Sequence, residues 1–188
     1  MGERAERRMT VAEFLRWDDG TDTRYELVGG LPVAMALPLR AHRVLSVRLA
    51  ARLEPLLPPQ CSAEHEAGIA RPEVDDACYI ADLVVSCTPT PDTEQLVRNP
   101  LLIIEILSPS TANFDRQVKV PEYRRIASVA EILLIDSRSI FAEVQRRAEE
   151  HWLHELVQGP EAILTLISVG LTVQLGELYR GLDLAAAG

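Results

Sequence analysis

Two carboxylates stand inside apolar stretches that would ordinarily exclude them. Glu105 sits in the middle of LLIIEIL (Leu101–Leu107) and Asp82 in the middle of YIADLVVSC (Tyr79–Cys87). Burying an unpaired charge is expensive unless a partner compensates it. If the two strands are neighbours, their carboxylates converge on one face. Two close carboxylates repel, so one takes up a proton or a cation sits between them. Mg²⁺ or Mn²⁺ suits such a site, because hard cations take one or two carboxylates plus waters. The plainer reading is that each acid pairs with an arginine, or that Asp82 lies on a solvent-facing side of its strand.

The basic residues add a second signal. Of 19, 18 are arginine and one is lysine, Lys119. Lysine is a compact charge whose pKa responds to burial, whereas arginine stays protonated. Lys119 and Tyr123 lie four residues apart, on one face of a regular helix. That helix follows the Glu105 strand closely, so Lys119 can swing back towards Glu105. Two carboxylates, a metal and one lysine suffice for phosphodiester hydrolysis: the metal polarises the phosphate and lowers the pKa of water, and the lysine orients the nucleophile or offsets developing charge.

The elements that must position these groups are legible from patterning. Residues 1–9 read as a charged, flexible tail. Thr10 to Trp17 forms a short helix with a capping box, Thr10 with Glu13 three residues on. Tyr25–Val28 and Leu31–Met35, joined by Gly29-Gly30, predict a hairpin. Between Leu39 and Leu57 a stripe of Ala41, Leu45, Leu49, Leu53 and Leu56 predicts a helix stopped by Pro58-Pro59. Strands are predicted at Cys61–Arg71, Tyr79–Cys87 and Leu101–Leu107, then a helix at Asp115–Ala127 and a strand at Glu131–Asp136. Ser139 to Leu166 reads as a meander, followed by a strand at Leu171–Leu175 and a helical turn. The result is one α/β domain over residues 1–188 with a mixed sheet: a core of helix, three strands, helix and strand, an N-terminal hairpin and a C-terminal β-meander.

With Asp82 in its second strand and Glu105 in its third, this order resembles the PD-(D/E)XK nuclease core. More narrowly, it resembles the Uma-two family of restriction-endonuclease-like proteins. The matching stretches are YELVGG with Glu26, the helix entry with His42, ADLVV with Asp82, and IIEILSPST with Glu105. FDRQVKVPEY with Asp115, Lys119 and Tyr123 and AEILLID ending at Asp136 complete the match, which spans about residues 10–150. The resemblance implies a divalent-metal nuclease, with Asp82 and Glu105 as metal ligands and Lys119 as the third catalytic group. It also places Glu26, His42 and Tyr123 at the site. Leu107 occupies the lysine position of the superfamily's E-x-K motif, so the ammonium comes from the helix. Ala81 replaces a proline that supplies no ligand, and Arg43 stands where the family has glutamine. Pro121 lies between Lys119 and Tyr123; inside a helix it costs about 3 kcal/mol. The helix is therefore expected to begin near Val120, with Lys119 on the loop before it.

Spacing alone gives Glu26 a solvent-facing strand position and makes His42, three residues before Leu45, a histidine of the sheet-facing stripe. HWLHELV reads as a strand, where His151 and His154 fall on opposite faces and form no metal site. Ser108, Ser110 and Thr111 read as a polar turn rather than nucleophiles.

Composition bounds the rest. The net charge is −9 and 47% of residues are apolar, which excludes a disordered chain. No apolar run approaches the roughly 18–20 residues of a membrane span, the start has no apolar signal region, and the expected address is the cytoplasm. Cys61, Cys78 and Cys87 are odd in number and form no CxxC pair, so neither a disulfide framework nor a zinc ribbon is expected. Net −9 has the wrong sign for a phosphate backbone. Local segments are kinder: Leu39–Leu57 sums four arginines against Glu54, or +3, and Asp115–Ala127 sums four bases against two acids, or +2. The expected activity is a metal-dependent endonuclease on nucleic acid, DNA foremost, acting as a homodimer. The alternatives are an inactive nuclease-like module that binds nucleic acid or dimerises, and a hydrolase of small phosphodiesters.

Overall fold

In the computed structural model, which describes residues 8–71 and 73–184, the expected core order is present. The predicted tail lies outside the described residues for 1–7. Residues 8 and 9 are tied down: Met9 N–H donates to Gly30 O at 2.7 Å and Arg8 to Gly29 O at 2.7 Å. Thr10 caps α1 (Val11–Phe14) with the full reciprocal box. β1 (Tyr25–Val28) and β2 (Leu31–Ala34) form the hairpin, and Gly29 and Gly30 take φ of +57° and +80° in its turn.

α2 (Arg40–Leu53) presents Leu45, Leu49 and Leu53, all fully buried, to one face of the sheet. It ends four residues before the predicted boundary, because Pro55 tightens the chain into a 3₁₀ turn over Glu54–Leu56. β3 (Ser62–Ala70), β4 (Cys78–Ser86) and β5 (Pro100–Leu107) follow, with β6 (Glu131–Asp136), β7 (Phe141–Ala148) and β8 (His151–Gln158) beyond the crossover. The sheet runs β2-β1-β4-β5-β6-β7-β8, with β3 also paired to β4. β5 and β6 are parallel and the other pairs antiparallel, the mixed sheet expected. β9 (Ile163–Leu166), β10 (Leu171–Gln174) and α5 (Leu175–Tyr179) close over the α2 side.

β5 divides two apolar cores. Leu102, Ile104 and Ile106 pack with the α2 leucines, whereas Ile103 and Leu107 face Val120 and Tyr123 on the other side. This alternation places Glu105 on the second face. β3 and β4 do something less regular. Their ladder runs from Ser62↔Ser86 to His65↔Leu83 and resumes at Ala67↔Ala81, omitting Glu66 and Asp82. Glu66 has φ of +52°, and the strands turn over there. Tyr79 and Ala81 belong to the second core, Leu83 and Val85 to the first. Asp82 sits at the inversion.

Two expectations need correction. Cys61 and Cys87 are joined in a disulfide, and Cys78 is a buried free thiol. The pairing follows from register: the β3–β4 ladder carries Ser62 opposite Ser86, so Cys61 and Cys87 are the next two residues across it. Nor is Lys119 on a loop. The segment after β5 is helical from α3 (Ala112–Phe114) through a π turn (Asp115–Lys119) into α4 (Val120–Arg124). Val120 N–H reaches Asp115 O, the wide i→i−5 bond, and Pro121 falls in the first turn of α4, where its missing N–H is tolerated. Among the described residues no helix is long and apolar enough to cross a membrane.

Candidate active site

The β4–β5 ladder stops at Leu83↔Ile104. One residue further, Asp82 replaces main chain with side chain: its Oδ2 accepts the Ile106 N–H at 2.6 Å. The strands splay there, and the carboxylate lies in the opening. Asp82 Oδ1 faces His42 Nε2 at 3.1 Å. His42 belongs to the sheet-facing stripe of α2, as its spacing indicates, and that stripe carries it to the mouth of the site.

Glu105 is only 2% exposed. Its Oε1 accepts from Tyr123 Oη at 2.6 Å and from Lys119 Nζ at 3.3 Å. Oε2 has no hydrogen bond among the described residues. Burial pushes the Glu105 carboxyl well above its ordinary range; Lys119 pulls it back, and Asp82 and Asp115 push it up again. Burial, then the Glu105 carboxylate, raises the Tyr123 phenol far above its usual value, so Tyr123 stays a donor.

Lys119 is also buried. Its Nζ lies 2.7 Å from Glu26 Oε1, 3.3 Å from Glu105 Oε1 and 3.5 Å from Asp115 Oδ1, and it donates to Ile80 O at 3.0 Å. Burial alone would lower its pKa, but Glu105, Glu26 and Asp115 together raise it, so the ammonium is permanent at physiological pH. Glu26 corrects the solvent-facing expectation. It is buried, and its Oε1 also accepts the Ile80 N–H at 2.9 Å. The α3–α4 segment covers the face on which β1 points Glu26, something spacing along β1 does not reveal.

All six residues expected at the site are thus brought together, in two linked groups: Asp82 with His42, and Glu105 with Lys119, Tyr123 and Glu26. A seventh residue, Asp115, lies in the FDRQVKVPEY stretch without an expected role. The structure buries it beside Lys119, with its carboxyl raised by burial against the pull of Lys119. The i,i+4 spacing of Asp115 and Lys119 is the signal in the sequence that marks it. The Ser108 hydroxyl hydrogen-bonds to those of Ser110 and Thr111, as a polar turn should. His151 and His154 are both exposed, and His154 meets Arg124.

The donor set can be tested against a divalent cation. Glu26, Glu105 and Asp115 surround one ammonium, and Asp82 acts electrostatically on Glu105, an excess of carboxylate oxygen in a largely buried space. Hard oxygen donors suit Mg²⁺ or Mn²⁺. Among the described residues no group of three or more His, Cys, Asp or Glu is arranged to hold a metal. Two carboxylates, the number Asp82 and Glu105 would supply, are the sparse ligation Mg²⁺ accepts with water and substrate phosphate. The residues fit the ion.

The basic segments are less basic than their sums. Arg48 bonds to Leu178 O and Arg180 O, and Arg52 to Glu177. Arg116 pairs with Glu143, Arg125 with Glu122, and Arg124 is engaged by Gln145 and His154. Arg40 and Arg43, flanking His42, remain exposed with no ion pair among the described residues.

A mixed sheet whose adjacent antiparallel strands carry an Asp and a Glu, with a lysine from the next helical segment closing on the Glu, is a restriction-endonuclease-like architecture. The family model Uma2, described as "Putative restriction endonuclease", matches residues 11–176, and the chain belongs to that family. Two Synechocystis proteins are similar along most of their length. One, slr1290, is 28% identical over 178 residues and 93% of each chain; the other, sll1609, is 30% identical over 169 residues, 82% of this chain and 90% of the relative. A crystal structure from Anabaena variabilis, described as a "putative nuclease belonging to DUF820", superposes with a TM-score of 0.70 over 91% of this chain and 97% of that one, at 20% identity. At that identity the likeness concerns the fold.

Proposed function

We propose that this chain is a divalent-metal-dependent endonuclease that hydrolyses phosphodiester bonds in DNA. The observation that carries the reading is Glu105: a buried carboxylate oriented through one oxygen by Lys119 and Tyr123, with its second oxygen free and Asp82 nearby. Asp82 and Glu105 would hold Mg²⁺ or Mn²⁺. When bound, such an ion supplies Lewis acidity towards the phosphate and a lowered pKa for water.

The chain's own residues prepare the site for it. Ile106 N–H and His42 fix the two oxygens of Asp82. Tyr123 and Lys119 hold Glu105 through Oε1 and leave Oε2 unclaimed, and the Lys119 charge favours the ionised carboxylate against the pull of burial. Lys119 has three N–H donors and four oxygens within reach, so it acts as a fixed charge and an orienting donor, a positioning residue for Glu105. Glu26 and Asp115 hold the ammonium in place.

The test is cleavage of single- and double-stranded DNA with Mg²⁺ or Mn²⁺ by the wild type, Glu105→Gln and Lys119→Ala, with folding checked by circular dichroism. Metal-stimulated cutting by the wild type that disappears in folded Glu105→Gln supports the reading; cutting that survives this substitution refutes it. The net charge of −9 favours one second reading, a hydrolase of small phosphodiesters. That reading calls for turnover of a small diester with a flat response to salt, whereas a polymeric substrate gives a steep one.

A further inference from the structure

The sheet ends differently at its two extremes. β2 is a four-residue edge containing Pro32, which has no N–H to offer another strand. Part of the outer edge of β3 is occupied by Gly68↔Leu96 bridging and by Val97 N–H donating to Gly68 O. β8 has neither protection. It pairs with β7 along all eight residues, from Phe141↔Gln158 to Arg147↔Trp152 and Ala148↔His151, and nothing among the described residues pairs with its other side. The strand HWLHELVQ contains no proline, lysine or glycine. Leu153 and Leu156 are 60% and 67% exposed. A full-length open edge with two exposed leucines and a single charged residue, Glu155, calls for another strand.

The hydrogen-bond phase identifies the groups on offer. Gly159 N–H donates to Ile140 O, the next step of the β7–β8 ladder, so odd-numbered residues of β8 bond inward. Trp152, His154, Leu156 and Gln158 therefore turn their N–H and C=O groups outward. Two identical edges can meet antiparallel only about a two-fold axis normal to the sheet, which opposes residues of the same parity. Centring the axis on His154 opposes Trp152 of each copy to Leu156 of the other, an aromatic–aliphatic pair made twice on one face. Centring it on Glu155 brings two carboxylates together instead. Arg147 and Arg124 already hold the Trp152 ring, at 4.6 and 5.8 Å, so it is presented rather than mobile.

We propose that β8 pairs antiparallel with β8 of a second copy of this chain, joining two sheets into one with His154 at the two-fold axis. Sedimentation equilibrium of the full chain tests it, with Leu156→Lys and Leu156→Pro as variants. Lysine removes the apolar contact and sets an ammonium beside the Arg124 and Arg147 guanidinium groups that already occupy the Trp152 ring. Proline deletes an outward N–H that the β7 ladder does not use, so the fold survives. The wild type is expected at twice the 20.8 kDa chain mass. Each folded variant should dissociate at least about tenfold more readily, equivalent to roughly 1.4 kcal/mol. A wild type that stays monomeric at about 100 µM, where an edge pairing of micromolar strength would be saturated, overturns the proposal, as does a dimer that neither variant weakens.

Discussion

Four oxygens surround the Lys119 ammonium, three of them from carboxyl groups, and removing that ammonium should be costly. Lys119→Ala leaves buried acids without their cation, and a loss of about 3–5 kcal/mol in urea unfolding is expected. Asp115 carries a pH signature that can be read without metal. Its folded-state pKa lies above the ordinary 3.8, through burial. Between those values the folded state holds more protons than the unfolded one, so this group's contribution to stability is full below 3.8 and is lost as pH rises through the folded value. Asp115→Asn removes that loss, so the stability of the variant relative to wild type should grow from about pH 4 towards neutrality; a difference that stays flat would contradict it. At this scale the sequence speaks through anomalies of type: acids in apolar strands and a single lysine among arginines. Spacing is silent on Glu26, which only the family resemblance marks, because alternation along a strand gives a face but not what covers it.

α2 contributes a packed stripe and one polar residue at its mouth, and the two functions separate by position. Leu49 is fully buried among Leu83, Leu102 and other residues of the α2-side core. Leu49→Ala should cost about 2.7–5 kcal/mol in unfolding free energy, with His42 and Asp82 left in contact. Periodicity and turn chemistry locate nearly every element, since capping boxes, Gly-Gly turns and apolar runs are local properties. What escapes them is set by contacts between elements. The disulfide depends on the β3–β4 register, and the π turn depends on Pro121 being absorbed without losing the helix that aims Lys119. The inversion at Glu66 and Asp82 has no local signature either, since neither residue is glycine.

Across the whole molecule, charge is apportioned more sharply than the total of −9 conveys. Most arginines of α2 and of the α3–α4 segment are engaged by the protein itself, whereas Arg40 and Arg43, on either side of His42, are exposed. On the proposed reading, binding of duplex DNA should weaken with salt. The double variant Arg40→Ala with Arg43→Ala should flatten the slope of log K against log salt by roughly 0.9 for each phosphate it no longer neutralises; an unchanged slope would move the DNA-binding surface elsewhere. The central strand has a final consequence. Because β5 separates the two cores, a cavity opened on one face has no shared neighbours with one opened on the other. Leu49→Ala and Ile132→Val, on opposite sides, should combine as a simple sum within about 0.5 kcal/mol, whereas Leu49→Ala and Ile104→Val, in the same core, should not. Thermodynamically the sheet is a partition, and each half of the interior can accumulate change without consulting the other.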